Sequence, residues 1–330
     1  MNILLPTLYQ MIFLFSFIVI GFLLARRGLL PAISAAILSR FENMLFIPAL
    51  VLGTFIRNFT TATLSSAWKI LLFSFLLALV AVIPLSILCS RLCTKDAYTR
   101  KISIYGLSFA NFSFMGNAIV EAIFPEIFTE YILFTLPLWV IIYIWAIPSL
   151  LLGSEREEAT PIRDRLKSFI NPMFICMIVG MVIGISGVGT IDLSSIPFLD
   201  GVRGSILKFI DVAGSCMSPI AMLLTGITLG SIDLSKTLKE KSIYTVSFLR
   251  LLVFPLLGIG ILYFFPQVPD VLQICTVCTL AMPIGLNTIV IPSMYGKDTS
   301  TAAGMALVSH ILSLATIPFI FFLRALILGG

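Results

Sequence analysis

The sequence predicts an all-α integral membrane protein: ten transmembrane helices in two inverted five-helix repeats, with helices 4 and 9 broken and crossing. Three observations carry this. Of the 330 residues, 59% are hydrophobic and 11% charged, whereas soluble domains run at about 45–50% and about 25%. Charge-poor runs of about 18–25 residues, each able to cross a bilayer as a helix, recur along the whole chain. Short motifs of the first half also return in the second at a nearly constant offset. A transmembrane β-barrel is excluded, because its strands alternate apolar and polar residues and these runs are continuously apolar.

The spans fall near 6–25, 35–56, 68–90, 101–124, 131–152, 168–187, 204–230, 242–264, 270–295 and 301–325. The first is followed by Arg26 and Arg27. A signal peptide carries its charge ahead of the apolar core, so this run reads as a retained helix. Pro48 in span 2 and Pro219 in span 7 are expected to break their helices, since proline lacks an N–H and clashes with the preceding turn. The polar loop 153–167, "GSEREEATPIRDRLK", separates residues 1–152 from 168–330. Each half holds five spans, and an odd number forces the halves into opposite orientations. Pro48 echoes Pro219 and Pro84 echoes Pro255 at an offset of 171, while "NAIV" at 117–120 echoes "NTIV" at 287–290 at 170. Inverted repeats of this kind are an architecture of secondary transporters.

Loops after the odd-numbered spans hold 15 of the 21 basic residues. Positive charge marks the cytoplasmic side, so both termini are expected to be extracytoplasmic in a multi-pass plasma-membrane protein, a bacterial inner membrane protein. The net charge of +5 is thereby accounted for by the lipid bilayer, and no nucleic-acid partner is called for. The six cysteines lie in or at the ends of apolar helices and read as packing residues.

Spans 4 and 9 are the polar, interrupted pair. Span 4 carries Asn111, Ser113, Gly116 and Asn117; span 9 carries Pro283, Gly285, Asn287, Thr288 and Pro292. Broken helices are tolerated in hydrocarbon only where protein or a water-filled cavity satisfies the freed backbone groups. Two breaks at equivalent places in inverted halves cross near the midplane. There the half-helix N-termini present unpaired N–H groups and the positive dipole end, which suits an anion. The asparagines add donors without a buried charge. The competing reading is that Asn and Gly only glue and pack helices.

The stretches "NMLFIPALVLG", "ANFSFMGNAIVEAIFPE", "SPIAMLLTGITLG", "LRLLVFPLL", "AMPIGLNTIVIPSMYGKD" and "SLATIPFI", in this order and spacing, resemble the auxin efflux carrier family over essentially the full chain. The resemblance implies ten helices in two inverted repeats and crossed, broken spans 4 and 9. It also implies a scaffold of spans 1, 2, 6 and 7, a mobile domain of the other six, and an elevator-type movement. The activity implied is export of organic anions: auxin in plants, malonate- or malate-like acids in bacteria. Plant members read Pro-Asn at the first break, and that asparagine contacts the substrate carboxylate. The matching pair here is Ala110-Asn111, which keeps the asparagine without the proline. Pro283 stands at the family's crossover proline. Gly116 matches a family glycine, with Asn117 in place of the proline that often follows. Internal alignment pairs Asn117 with Asn287. The fold implies a homodimer through the scaffold.

His310, the single histidine, lies about ten residues into span 10. An ionisable group at that depth is a functional candidate, suited to proton coupling or else a neutral packing residue. Arg250 in span 8 reads as snorkelling, as structural, or as offering charge to an anion. Glu121, in the outer half of span 4, is a possible gate. Lys208 and Asp211, one turn apart, read as a pair. "CTVC" at 275–278 lies within a helix without a second pair, so no metal or cofactor is called for. A sodium-coupled symporter of the bile-acid type is the alternative carrier, but sodium favours carboxylate and carbonyl oxygens, and spans 4 and 9 hold no acid besides Glu121. "GISG" at 184–187 resembles the motif of an intramembrane serine protease, with Ser186 as nucleophile and His310 as base. Ser186, however, closes span 6 rather than opening a helix, so the chain is not read as an enzyme.

Topology is tested by a cysteine-free protein carrying Thr160→Cys. The charge distribution predicts that an impermeant thiol reagent fails to label it in intact cells and labels it in inverted vesicles. Labelling from outside reverses the orientation.

Overall fold

Apolar segments that find no water must close their backbone hydrogen bonds internally, which leaves helices as the available structure. The computed structural model describes residues 4–31, 33–152, 172–187, 197–231, 238–294 and 297–329; the 153–167 loop lies outside the described residues. Those residues are helical apart from short connections, with one isolated antiparallel bridge. The helices are α1 (Leu4–Arg26), α2 (Ile33–Asn58), α3 (Thr63–Cys93), α4 (Ala97–Ser108), α5 (Phe112–Ile123), α6 (Pro125–Leu151), α7 (Pro172–Ser186), α8 (Pro197–Ser215), α9 (Met217–Gly230), α10 (Lys241–Phe264), α11 (Asp270–Ala281), α12 (Asn287–Met294) and α13 (Ser300–Gly329). Among the described residues, seven helices are long and apolar enough to cross a membrane, α8 and α9 counting as one. Shorter apolar helices occupy the expected positions of span 6 (α7) and of half-spans 4 and 9 (α5 and α11).

Proline acts in two ways. At Pro48 the expected break is instead a π turn: α2 widens over Glu42–Phe46, the Ile47 N–H reaches the Glu42 carbonyl, and the helix continues. The widened turn relieves the clash that proline makes with the carbonyl four residues back. Pro84 and Pro255 likewise follow π turns at Leu77–Val82 and Leu249–Val253. Near Pro219 the helix does step, at Cys216 between α8 and α9. That places Pro219 in the first turn of α9, where its missing N–H has no intrahelical acceptor to lose.

Close packing groups the helices. α1 lies against α9, and α7 and α8 against α2. α3 packs on α4 and α6, and α10 on α11 and α13. Glycine sets the approach in the first group. A Cβ at Gly226 of α9 would collide with the Ile18 carbonyl of α1, and one at Gly184 of α7 would sit 2.5 Å from the Phe59 carbonyl just beyond α2. Such contact through small residues replaces the hydrophobic drive that lipid cannot supply. Asp211 of α8 pairs with Arg57 of α2 rather than with Lys208, and Arg324 of α13 pairs with Asp270 of α11. Ahead of α4, the Asp96 carboxylate accepts the Thr99 N–H at 2.7 Å. That cap holds its carboxyl below the usual range.

The chain opens between α4 and α5 and again between α11 and α12. At these openings Ala110 and Ile284 form the antiparallel bridge, and the Asn111 N–H donates to the Pro283 carbonyl at 2.8 Å. Arg250, at 0% exposure, closes the other side. Its Nη1 donates to the Leu107 carbonyl in the last turn of α4 (2.8 Å), and its Nη2 to the Thr279 carbonyl in the last turn of α11 (2.6 Å). Its Nε reaches the Met282 carbonyl (3.1 Å). One guanidinium therefore holds the negative ends of both half-helices, where a cation is favoured. It neither snorkels nor carries a carboxylate partner among the described residues.

Arg250→Met should leave three buried carbonyls unpaired, at a cost of about 3 kcal/mol or more. Arg250→Lys, which lacks the planar fork, should fall between it and wild type. Thermal unfolding of the purified protein in detergent checks the order; three equal melting temperatures contradict it.

Candidate functional site

The two openings line a small cavity of about 20 Å³, room for about one water. Its floor is the crossing itself, formed by Ala110, Asn111, Gly285 and Leu286. Gly285 has little room to be anything else, because a Cβ there would lie 3.1 Å from the Ala110 carbonyl. Tyr105, Phe112, Phe114 and Trp139 supply an aromatic wall, with Phe112 and Trp139 edge to face at 5.3 Å. The polar side chains lining it are Tyr105, Asn111, Ser113, Trp139 and Asn287.

Backbone geometry makes this pocket donor-rich. The first backbone bond of α5 runs from the Gly116 N–H to the Asn111 carbonyl at 2.9 Å. The N–H groups of residues 112–115 therefore precede the helix's own acceptors, and Phe112, Ser113 and Phe114 line the cavity. α12 begins at Asn287, whose amide Nδ2 donates to the Tyr105 hydroxyl at 3.3 Å. The positive ends of both second half-helices thus meet at the cavity, while Arg250 engages the negative ends of both first half-helices.

His310 stands behind Asn111. Its Nδ1 is 2.7 Å from the Ala306 carbonyl and its Nε2 is 3.0 Å from Asn111 Nδ2. A carbonyl only accepts, so Nδ1 carries the proton. In the neutral ring Nε2 then accepts from the Asn111 amide. Next to it, the Ser309 hydroxyl receives the Ile284 N–H at 3.2 Å, which ties α13 to the bridge.

Of the residues singled out by sequence, Asn111, Ser113, Gly285 and Asn287 come together in the cavity lining. Gly116 packs against Tyr131, whose hydroxyl donates to the Phe112 carbonyl at 3.1 Å. Asn117 is buried one turn into the second half-helix, away from the lining. Asn111 lines the cavity together with Asn287, and Asn117 does not. The Pro283 carbonyl accepts from the crossing strand, and the Thr288 hydroxyl closes on the Gly285 carbonyl of its own turn at 2.8 Å. Glu121 lies half-buried in α5, off the lining and within electrostatic reach of Arg57. The Ser186 hydroxyl donates to the Ile183 carbonyl, and both ring nitrogens of His310 are engaged elsewhere, so they form no nucleophile–base pair.

A family model described as membrane transport protein, that of the auxin efflux carriers, matches residues 6–321. The chain belongs to that family. A comparison with curated proteins finds no match. Family membership and the seven apolar helices make the chain a multi-pass membrane transporter, and the family is one of transporters rather than enzymes.

Sequence reasoning passes over Tyr105, Trp139, Ser309 and Glu42. The first two read as ordinary aromatics of apolar helices, and a serine beside a histidine carries no pattern. Glu42 had a signal, an acid inside an apolar run, obscured by Arg40 two residues earlier. It is 0% exposed on the π turn of α2, and neither carboxyl oxygen has a hydrogen-bond partner among the described residues.

Proposed function

We propose that this family member is a secondary carrier that exports small organic anions, such as malonate- or malate-like carboxylates or auxin-like acids, with the carboxylate held at the crossing. One observation carries the reading: the Asn111 and Asn287 amides and the unpaired first-turn N–H groups of α5 converge on one small cavity. A charged carboxylate needs several donors to leave water, and such a cavity supplies them from groups already fixed in place. The aromatic wall suits an acid with a short apolar body.

The packing supports an elevator-type movement. α1 packs most extensively on α9, and α2 on α7 and α8; in this reading these five are one group, and the helices carrying the cavity are the other. In this reading the second group carries the anion past the first, which also supplies the surface of a homodimer in a bacterial inner membrane. Among the described residues the cavity lining holds amides, hydroxyls and backbone groups without a carboxylate, which favours an anion over a sodium-coupled site.

Asn111→Ala and Asn287→Ala should each weaken carboxylate binding by about 1–3 kcal/mol, the worth of a hydrogen bond to a charged group. Calorimetric titration with malonate, malate, lactate, acetate and indole-3-acetate checks this, with folding confirmed by thermal melts. Unchanged affinity in both variants places the site elsewhere. Uptake into proteoliposomes that stops without sodium revives the symporter reading.

A further inference from the structure

The cavity offers donors but no cation. Arg250 is committed to three carbonyls on the far side of the crossing, and among the described residues no lysine or arginine lines the pocket. A carboxylate held there by dipoles alone remains a net buried charge, which low-dielectric surroundings penalise. One hydrogen bond behind Asn111 stands His310, whose imidazole can take up a positive charge there.

We propose that His310 and Asn111 form a proton-operated switch that makes the crossing an anion site and loads one proton with each carboxylate. This rests on the carboxylate reading above and adds its regulation. In the observed arrangement Nδ1–H donates to Ala306, Nε2 accepts from Asn111 Nδ2, and the Asn111 amide can offer the cavity only its second N–H and its oxygen. A proton from solvent adds to Nε2, while Nδ1–H keeps its bond to Ala306. Nε2–H is now a donor and no longer an acceptor, so it requires an oxygen. The Asn111 amide turns half a revolution about Cβ–Cγ, which exchanges two terminal groups of nearly equal size. Oδ1 then accepts from Nε2–H, and both amide hydrogens face the cavity. The same proton supplies a positive charge beside the anion. No bond other than N–H forms, and the imidazolium offsets one carboxylate: the carried pair is neutral for a monocarboxylate and singly negative for a dicarboxylate.

The surroundings leave His310 as the responsive group. α13 packs against α1, α4, α9, α10, α11 and α12. α9 and α12 carry no ionisable residue. α10 contributes Arg250, α4 contributes Tyr105, bonded to Asn287, and α11 contributes the buried thiols Cys275 and Cys278. Glu240 accepts from Thr301 nine residues before His310, and Arg324 pairs with Asp270 at the far end of α13. Among the described residues no charged side chain acts on the ring.

The single histidine makes the test direct. Protein labelled with ¹⁵N-histidine and purified without a histidine tag should show, at neutral pH, a neutral ring protonated at Nδ1. Saturating malonate, or whichever of the five carboxylates above binds, should convert it to the doubly protonated form. Calorimetry of the same binding in buffers of different ionisation enthalpy should show uptake of one proton per anion, lost in His310→Gln. If His310→Gln fails to fold, Asn111→Ala replaces it, with binding kept but weakened and proton uptake abolished. Anion binding with the ring neutral throughout, a ring protonated at Nε2 in the unliganded protein, or proton uptake that survives both variants overturns the switch and leaves the carboxylate site standing. Failure of every carboxylate to bind overturns both.

Discussion

The structure depends on how two interrupted helices are held where they cross. Breaking a helix inside a membrane frees N–H and C=O groups that neither lipid nor a neighbouring helix face can satisfy. Here the freed groups are divided by sign. The carbonyl ends of α4 and α11 converge on the Arg250 guanidinium, whose planar fork reaches Leu107, Thr279 and Met282 together. The first-turn N–H groups of α5 are left toward the cavity, and α12 begins beside them at Asn287. A charge that would be costly alone is stabilised by two helix termini, and the opposite polarity becomes available to a ligand.

Around that arrangement the remaining features fall into place as constraints on spacing. Gly285 lets the two strands touch, the Asn111–Pro283 bond fixes their register, and Ser309 fastens α13 to the bridge. His310 reaches Asn111 because α13 is held against the crossing. Beside this unit α9 meets α1 through Gly226, and α7 meets the end of α2 through Gly184.

Much of this was legible in the sequence. Continuous apolar runs are a strong signal, because lipid forbids other solutions, and the positions of the helices follow from them. Pro283 and the glycine and asparagine around it marked the second opening. The first was harder: Ala110 carries no break signal, and only Asn111 and Ser113 announced it. Pro48 misled, because a π turn absorbs a proline as well as a break does and leaves no mark in composition. Arg250 illustrates the general limit. Its depth was evident, but its partners are backbone carbonyls of two distant helices, and carbonyls have no sequence identity. The same holds for His310 and Ala306. A motif match aligns Asn117 with Asn287, whereas the cavity lining takes Asn111 together with Asn287.

The crossing is tested most directly by joining it. Antiparallel bridge partners lie about 4.5–5.5 Å apart between Cα atoms, within the range of about 4.4–6.8 Å that a disulfide spans. Ala110→Cys with Ile284→Cys, in a protein otherwise free of cysteine and cut by protease in the 153–167 loop, should form a disulfide under mild oxidation. The two halves should then run as one species until reduced. Halves that separate freely after oxidation, with both thiols still titratable in the folded protein, would show that the two openings do not meet.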